Sequence, residues 1–175
     1  MYSSLVRTTL LIVCFCISAS TLRAQTGATG ERLFTFIKVW GFLKYYHPAC
    51  GLGRVEADSL FNRGIAAVQL STTDVEFKKG LSDMLRALGP AEKQTEADTT
   101  QLFTRNQDFK WIRELQLIPP DVRKELKKLQ ATGYTGSTHK YMPANFHETQ
   151  LPGEDPHAEI TYPNQQAQLL TLARY

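Results

Sequence analysis

Ser137 and Lys140 are the residues with the clearest potential for chemistry, because they fit the S-x-x-K spacing of a serine nucleophile and a lysine base. That chemistry requires the lysine to lie one helical turn after the serine. Gly133 and Gly136 precede this serine and Pro143 follows it, so the segment is predicted to be a surface loop. The chain also has no G-x-S-x-G elbow, no H-E-x-x-H pair and no glycine-rich phosphate loop. We therefore predict no catalytic residue and no cofactor-binding residue.

Histidines and carboxylates occur together in the same part of the chain, where they could in principle gather a metal ion. They are His139, His147, Glu148, Glu154, Asp155 and His157. Their wide and even spacing matches no compact zinc pattern, in which ligands come in closely spaced pairs. Solvated loop histidines are the better interpretation. We predict no metal site.

Polar and aromatic side chains are densest at the end of a strongly apolar run. One interpretation is that this run forms a helix and that the side chains at its end line a ligand groove. The possible interaction surface consists of Trp40, Lys44, Tyr45, Tyr46 and His47. The alternative is that these side chains pack and form hydrogen bonds at a helix C-terminus, where a histidine also suits the negative end of the helix dipole.

The helix that carries these residues is predicted over residues 31–47. Its apolar side chains fall on several faces, so it must be covered on more than one side. Pro48 ends it, and the glycines at 51 and 53 turn the chain. A second helix is predicted from about Val55 to Leu70.

A third helix is predicted from Asp74 to Leu88. Thr73 and Glu76 form a capping-box pair at its start, and Gly89-Pro90 is a stop signal at its end. Together with the two preceding helices it makes residues 31–90 a helical region that contains a helical hairpin.

The rest of the chain is predicted to be less regular. Residues 91–107 lack apolar periodicity and indicate an exposed linker. Residues 108–167 are predicted to be a mixed helix and loop region, with a short strand within Phe109–Leu117, a charged helix over Asp121–Gln130, and loops with short extended pieces after it. The predicted fold class is mostly α, with a helical hairpin region and a loop-rich segment that contains short strands.

The last residues echo the first helix, since Leu-Leu-Thr-Leu-Ala-Arg-Tyr at 169–175 aligns with Leu-Phe-Thr-Phe-Ile-Lys-Val at 33–39. A coincidence between two amphipathic runs is the alternative to a true repeat. Residues 168–175 are expected to be the start of a truncated helix, whose apolar face would stay exposed. The isolated chain is therefore expected to self-associate or to bind an apolar dye.

The first 24 residues resemble a cleavable secretory signal, with Arg7 before an uncharged apolar run from Leu10 to Ala19. Cleavage after Ala24 would leave a short linker, residues 25–30. The apolar run is too short for a membrane-spanning helix, and no later stretch is longer, so no stable membrane span is predicted. The expected location is exported: periplasm, cell envelope or extracellular.

The charge distribution limits the possible partners, and the cysteine content limits the possible disulfides and metal sites. Of the 20 Lys and Arg residues, Arg7 and Arg23 lie in the leader, which leaves 18 against 17 acidic residues. These charges are interleaved, so no nucleic-acid partner is predicted. Cys50 is the only cysteine after the leader, which excludes an intrachain disulfide and a multi-thiolate zinc site in the mature chain.

The run WGFLKYYHP at 40–48, followed by a helical hairpin ending in LRALG at 85–89, resembles the amino-terminal region of secreted bacterial tail-specific serine peptidases. This family includes the C-terminal processing peptidases and the tricorn-core peptidases. The likeness covers most of residues 31–175, and it is specific in the first run and loose elsewhere. It implies hydrolysis of peptide bonds by a serine nucleophile, with a PDZ-like module that captures the C-terminal segment of a polypeptide substrate.

In that family the catalytic residues lie downstream of the matched region, so no catalytic role transfers to this chain. Where the family places Gly-Asp-Gly-His, this chain has Gly89-Pro90-Ala91, which leaves that turn without an assigned role. The resemblance predicts a non-catalytic helical region of a secreted serine peptidase, with the downstream peptidase and PDZ-like domains as partners. The alternative is a free-standing exported helical binding module. Whether the chain is an enzyme stays open.

Overall fold

The computed structural model describes residues 29–91, 108–134, 138–142 and 164–174. Within these ranges 74% of the residues lie in seven helices and no strand occurs, which confirms the mostly α fold class. The helices are α1 (29–46), α2 (Pro48–Gly51), α3 (Ala57–Leu70), α4 (Asp74–Leu88), α5 (Trp111–Glu114), α6 (Pro120–Thr132) and α7 (Gln165–Arg174). The predicted leader and most of the predicted linkers and loops lie outside the described ranges.

Helix α1 is the centre of the core. Trp40 and Phe36 pack against Phe61 of α3, with ring centroids 5.0 and 5.3 Å apart. On another side, Phe42 contacts the rings of Phe109 and Trp111. The helix is therefore covered on more than one side, as its sequence predicts, and the cover comes from this chain.

The first turn of α1 includes residues 29 and 30, which the sequence assigns to a linker. That assignment is wrong for these two residues, because the apolar pattern begins only at Leu33 and cannot mark an exposed first turn. At the other end α1 stops before Pro48, as predicted. Pro48 then opens the short helix α2 at a position where a missing N–H costs nothing.

A glycine lets α1 and α3 approach each other closely. A Cβ atom built on Gly64 of α3 would lie 2.4 Å from the ring of Phe36, which is fully buried. Gly64 therefore provides the space that the Phe36 ring fills, and the close packing of α1 against α3 depends on this contact.

Helices α3 and α4 form the predicted hairpin. The bounds of α4 agree with the prediction, because Thr73 Oγ1 accepts from the Glu76 N–H and the Glu76 carboxylate accepts from the Thr73 N–H. Gly89 ends the helix with a φ of 72°, a conformation that favours glycine. The predicted stop signal is therefore confirmed.

Arg32 of α1 fixes the turn between α3 and α4. Its guanidinium donates to Asp74 Oδ1 at 2.8 and 3.0 Å and to the Ser71 carbonyl oxygen at 3.0 Å. Arg32 is buried. The Asp74 carboxylate balances the positive charge of its guanidinium, and the Ser71 carbonyl oxygen accepts from a further N–H group. The start of the central helix is thus joined to a turn about 40 residues later in the sequence.

The predicted strand within Phe109–Leu117 is wrong, since residues 111–114 form the helical turn α5. The Arg123 side chain explains the difference, because it donates to the carbonyl oxygens of Ile112, Leu115 and Ile118. These carbonyls therefore point toward one guanidinium, and the described ranges contain no strand with which the segment could pair.

Helix α6 confirms the charged helix and extends it by one residue at the start and two at the end. Helix α7 begins at Gln165 instead of residue 168, because Asn164 Oδ1 accepts from the Ala167 N–H and caps it. Leu170 is buried and Arg174 pairs with Asp58 of α3, so α7 is docked on the core. No helix in the described ranges is long and apolar enough to cross a membrane.

Candidate functional site

The predicted interaction surface lies where α1, α2, the start of α3 and residues 138–142 meet. We call residues 138–142 the strap. Trp40 and Lys44 are 1% exposed and His47 is fully buried, so these three cannot form a surface, and the prediction is wrong for them. Tyr45 and Tyr46 are half-buried. The alternative interpretation, packing and hydrogen bonding at a helix end, describes the observed contacts.

Trp40 joins α1 to the first residue of α3. Its indole Nε1–H donates to the Ala57 carbonyl oxygen at 2.8 Å, inside the core. The ring stands edge-on to Phe61 at the same time. The Trp40 ring is packed among apolar side chains and its only hydrogen-bond donor has a partner, so this residue fixes the position of α3 on α1.

Lys44 places its ammonium group among three aromatic rings. Nζ lies 4.8 Å from the ring centroid of Tyr141, 5.3 Å from that of Tyr45 and 5.4 Å from that of Trp40. The negative faces of these rings stabilise a cation that has little contact with water. The lysine is thus part of the packed interior.

His47 lies between α1 and α2 and caps the second helix. Its Nδ1 accepts from the Ala49 N–H at 3.2 Å. Burial lowers the pKa of this imidazole, and the cations of Arg54 and Lys128 act in the same direction. Glu125 and the Gly89 carbonyl oppose the shift. His47 is therefore held neutral at physiological pH, which is the form that the cap requires.

Tyr46 belongs to a second aromatic group on the side of α1 that faces α5. Its ring stacks on Phe42 with centroids 4.3 Å apart and meets Phe109 edge-on at 5.6 Å. Burial raises the pKa of the Tyr46 hydroxyl. The ring is thus an element of packing between α1 and the segment that leads into α5.

The strap brings residues together that the sequence does not connect. The Tyr141 hydroxyl donates to Glu56 Oε1 at 2.7 Å and accepts from the Ala57 N–H at 3.0 Å. Lys140 pairs with the same carboxylate, and its N–H donates to the Gly51 carbonyl oxygen at 2.7 Å. No local pattern marks these pairs, because Glu56 and Tyr141 lie 85 residues apart.

Cys50 is fully buried beside this group. Burial raises the pKa of its thiol to about 12, and Glu56 adds to the effect while Lys44 opposes it. The nucleophilic form of a cysteine is the thiolate, which is scarce at neutral pH when the pKa is this high. Cys50 therefore behaves as a small apolar core residue.

The S-x-x-K and metal hypotheses concern residues that are only partly described. Ser137, His147 and His157 lie outside the described ranges. The ammonium group of Lys140 is engaged in an ion pair with Glu56. Among the described residues no group of three metal-ligating side chains occurs.

Comparisons with known proteins identify no relative: no protein-family model, no curated protein and no solved structure matches the chain. The functional argument therefore depends on the residues themselves and on the resemblance carried by residues 40–48.

Proposed function

We propose that this chain is a non-catalytic helical region of a secreted serine peptidase, and that its WGFLKYYHP run is the structural centre of that region. The observation that supports this proposal is the burial of Trp40, Lys44 and His47 in the run that carries the resemblance. Buried side chains suit a region that supports the fold, whereas an active site needs reactive groups that a substrate can reach.

The chemistry of the described residues also supports a non-catalytic role. Cys50 is a protonated thiol inside the core, and Lys140 is engaged by a carboxylate. His47 and His139 both use a ring nitrogen to accept from a backbone N–H, which occupies the atom that a general base would need. The bond-breaking residues would then belong to the downstream peptidase domain, with a polypeptide as substrate.

The alternative is a free-standing exported helical binding module, and one observation favours it. The apolar faces of α1 are covered by other parts of this chain, with Phe34 as the large exception in the described helix. A region that covers its own core has no physical need for a further domain.

Reading the coding DNA beyond codon 175 distinguishes the two proposals. The peptidase proposal expects an open frame that encodes a PDZ-like module and a serine peptidase core. A stop codon there, together with a stable monomeric chain, would contradict it and support the binding module.

A peptidase assay tests the non-catalytic role directly. The purified chain should hydrolyse neither casein nor peptides with apolar C-termini, and S137A and K140A should behave as the parent does. Turnover above the buffer blank that S137A abolishes would place a nucleophile in this chain and contradict the proposal.

A further inference from the structure

His139 uses one ring nitrogen to tie the strap to α1 and the other for a hydrogen bond within the strap. His139 Nε2 lies 3.0 Å from the Tyr45 carbonyl oxygen, and Nδ1 accepts from the Tyr141 N–H at 3.1 Å. Since Nδ1 accepts, Nε2 carries the proton and donates to Tyr45. The contacts therefore fix the neutral imidazole in one tautomer.

A second proton on His139 would have to bind Nδ1. It would then face the N–H of Tyr141, so that an attractive contact becomes a repulsive one between two donors. Tyr141 is the residue whose hydroxyl joins the strap to Glu56 and Ala57. Protonation of the ring would therefore act on a residue that joins the strap to the start of α3.

The groups around His139 also oppose a positive charge. Burial lowers its pKa, and the Lys44 ammonium adds to this effect, while the Tyr45 carbonyl opposes it. Glu56 is a nearby carboxylate, but Lys140 and Tyr141 already bind its oxygens. The titratable and charged groups that face His139 and the strap are Lys44 and Tyr45 (α1), Cys50 (α2), Arg54 and Glu56 (before α3), Asp58 (α3), Tyr134 (after α6), and Lys140 and Tyr141 (strap).

We propose that the strap is a pH-sensitive clasp, which is closed when His139 is neutral and is released from α1 and α2 when His139 takes a second proton. Release withdraws the Tyr141 ring from the Lys44 ammonium and removes the Tyr141 and Lys140 contacts of the Glu56 carboxylate. This inference does not depend on either proposed function.

Hydrogen–deuterium exchange of the full chain between pH 7.5 and 5.0, corrected for intrinsic exchange rates, tests the proposal. If opening is coupled to protonation of one histidine, the equilibrium constant for opening should increase about tenfold per pH unit below the ordinary histidine pKa of about 6.5. Between that pH and pH 5.0 the protection factors of the strap amides should therefore fall by up to about 30-fold. The amides of α4 report the pH dependence of global stability, to which His47 also contributes. The strap amides should be less protected than the α4 amides at every pH.

Two variants make the test specific. H139Q removes the titrating group and should abolish the pH dependence of strap protection. Y141F should lower protection at every pH but keep the pH dependence, because the histidine contacts remain; this variant keeps the proposal testable if H139Q does not fold. A change of less than about threefold in strap protection of the parent chain, or the same pH dependence of strap protection in H139Q as in the parent, would overturn the proposal.

Discussion

At the scale of single residues, the WGFLKYYHP run places three polar groups inside the core, and each has a specific way of being stabilised. The Trp40 indole donates to a carbonyl, and the Lys44 ammonium lies among aromatic rings. His47 accepts from a backbone N–H through Nδ1, while its buried Nε2 makes no direct hydrogen bond to a described residue. Buried polar groups are costly unless they are satisfied, and satisfied ones hold a core in one arrangement. These side chains therefore restrict how α1, α2 and α3 can pack.

The lowered pKa of His47 predicts that stability depends on pH. The unfolded chain binds a proton at an ordinary histidine pKa of 6.5, whereas the folded chain binds it only at a lower pH. Below pH 6.5 the unfolded state thus holds more protons, so the free energy of unfolding should fall as the pH falls from 6.5 toward the folded-state pKa, and the loss should then level off.

Urea unfolding at pH 7.5, 6.5, 5.5 and 5.0 measures this effect. H47N is the matched variant, because asparagine can cap α2 but does not titrate. It should show a smaller pH slope than the parent, with part of the slope remaining because the pKa of His139 is also lowered. An unchanged slope in H47N would show that His47 is not responsible.

The sequence predicts these residues only in part. It identifies the run and offers packing at a helix end as an alternative to a surface, but it cannot choose between them. The choice depends on Ala57, Phe61 and Tyr141, which approach α1 only in the folded chain. Burial at a helix end is decided by tertiary contacts, and local pattern does not encode it.

At the scale of elements, the helices differ in how strongly their own sequence defines them. Helix α4 carries both a capping box and a glycine stop, and its predicted bounds are confirmed. Segment 111–114 has no such signals, and the Arg123 guanidinium binds the carbonyl oxygen of Ile112 within it and that of Leu115 directly after it. A short apolar stretch fits a strand or a helical turn equally well, which is why the predicted strand is wrong.

Two helical glycines provide a matched test of the contact between α1 and α3. G64A should lower the free energy of unfolding by about 1–3 kcal/mol, because its new methyl group would overlap the buried Phe36 ring. G41A meets no atom within 4 Å and should be neutral or stabilise the chain by up to about 1 kcal/mol. Chemical denaturation of both variants compares the two effects.

Equal stabilities for G64A and G41A would contradict the close approach of α1 and α3. Both positions lie inside a helix, so both variants gain the same stabilisation from the higher helix propensity of alanine, and the comparison cancels this effect. The remaining difference measures the packing against Phe36.

At the scale of the whole molecule, the described part of the chain supplies the cover that the apolar faces of α1 require. Phe36, Val39 and Leu43 of α1 are buried, and Leu170 of α7 is buried as well. The expectation of self-association followed from the apolar face of the truncated last helix and from apolar residues on several faces of α1. It is revised because Leu170 of the last helix is buried, and because α3, the segment before α5, and the strap occupy the faces of α1.

Residues 25–175 should therefore be a compact monomer that does not enhance the fluorescence of an apolar dye. The large apolar side chains that remain exposed include Phe34, Leu70, Val75 and Leu172, and each is a single residue on a different helix. Size-exclusion chromatography with light scattering checks the mass, and dye titration checks the surface. A dimer, or dye binding comparable to that of an acid-expanded state, would restore the expectation of an uncovered apolar face.

Replacement of Trp40 by alanine tests most directly the claim that the resemblance run is a structural centre. The variant loses a buried ring and its hydrogen bond to Ala57, so the free energy of unfolding should fall by about 3–5 kcal/mol. F34A on the same helix, where the ring is 51% exposed, is the control and should cost less than about 1 kcal/mol. Urea denaturation that gives this difference supports the account, whereas a W40A chain as stable as F34A would contradict it.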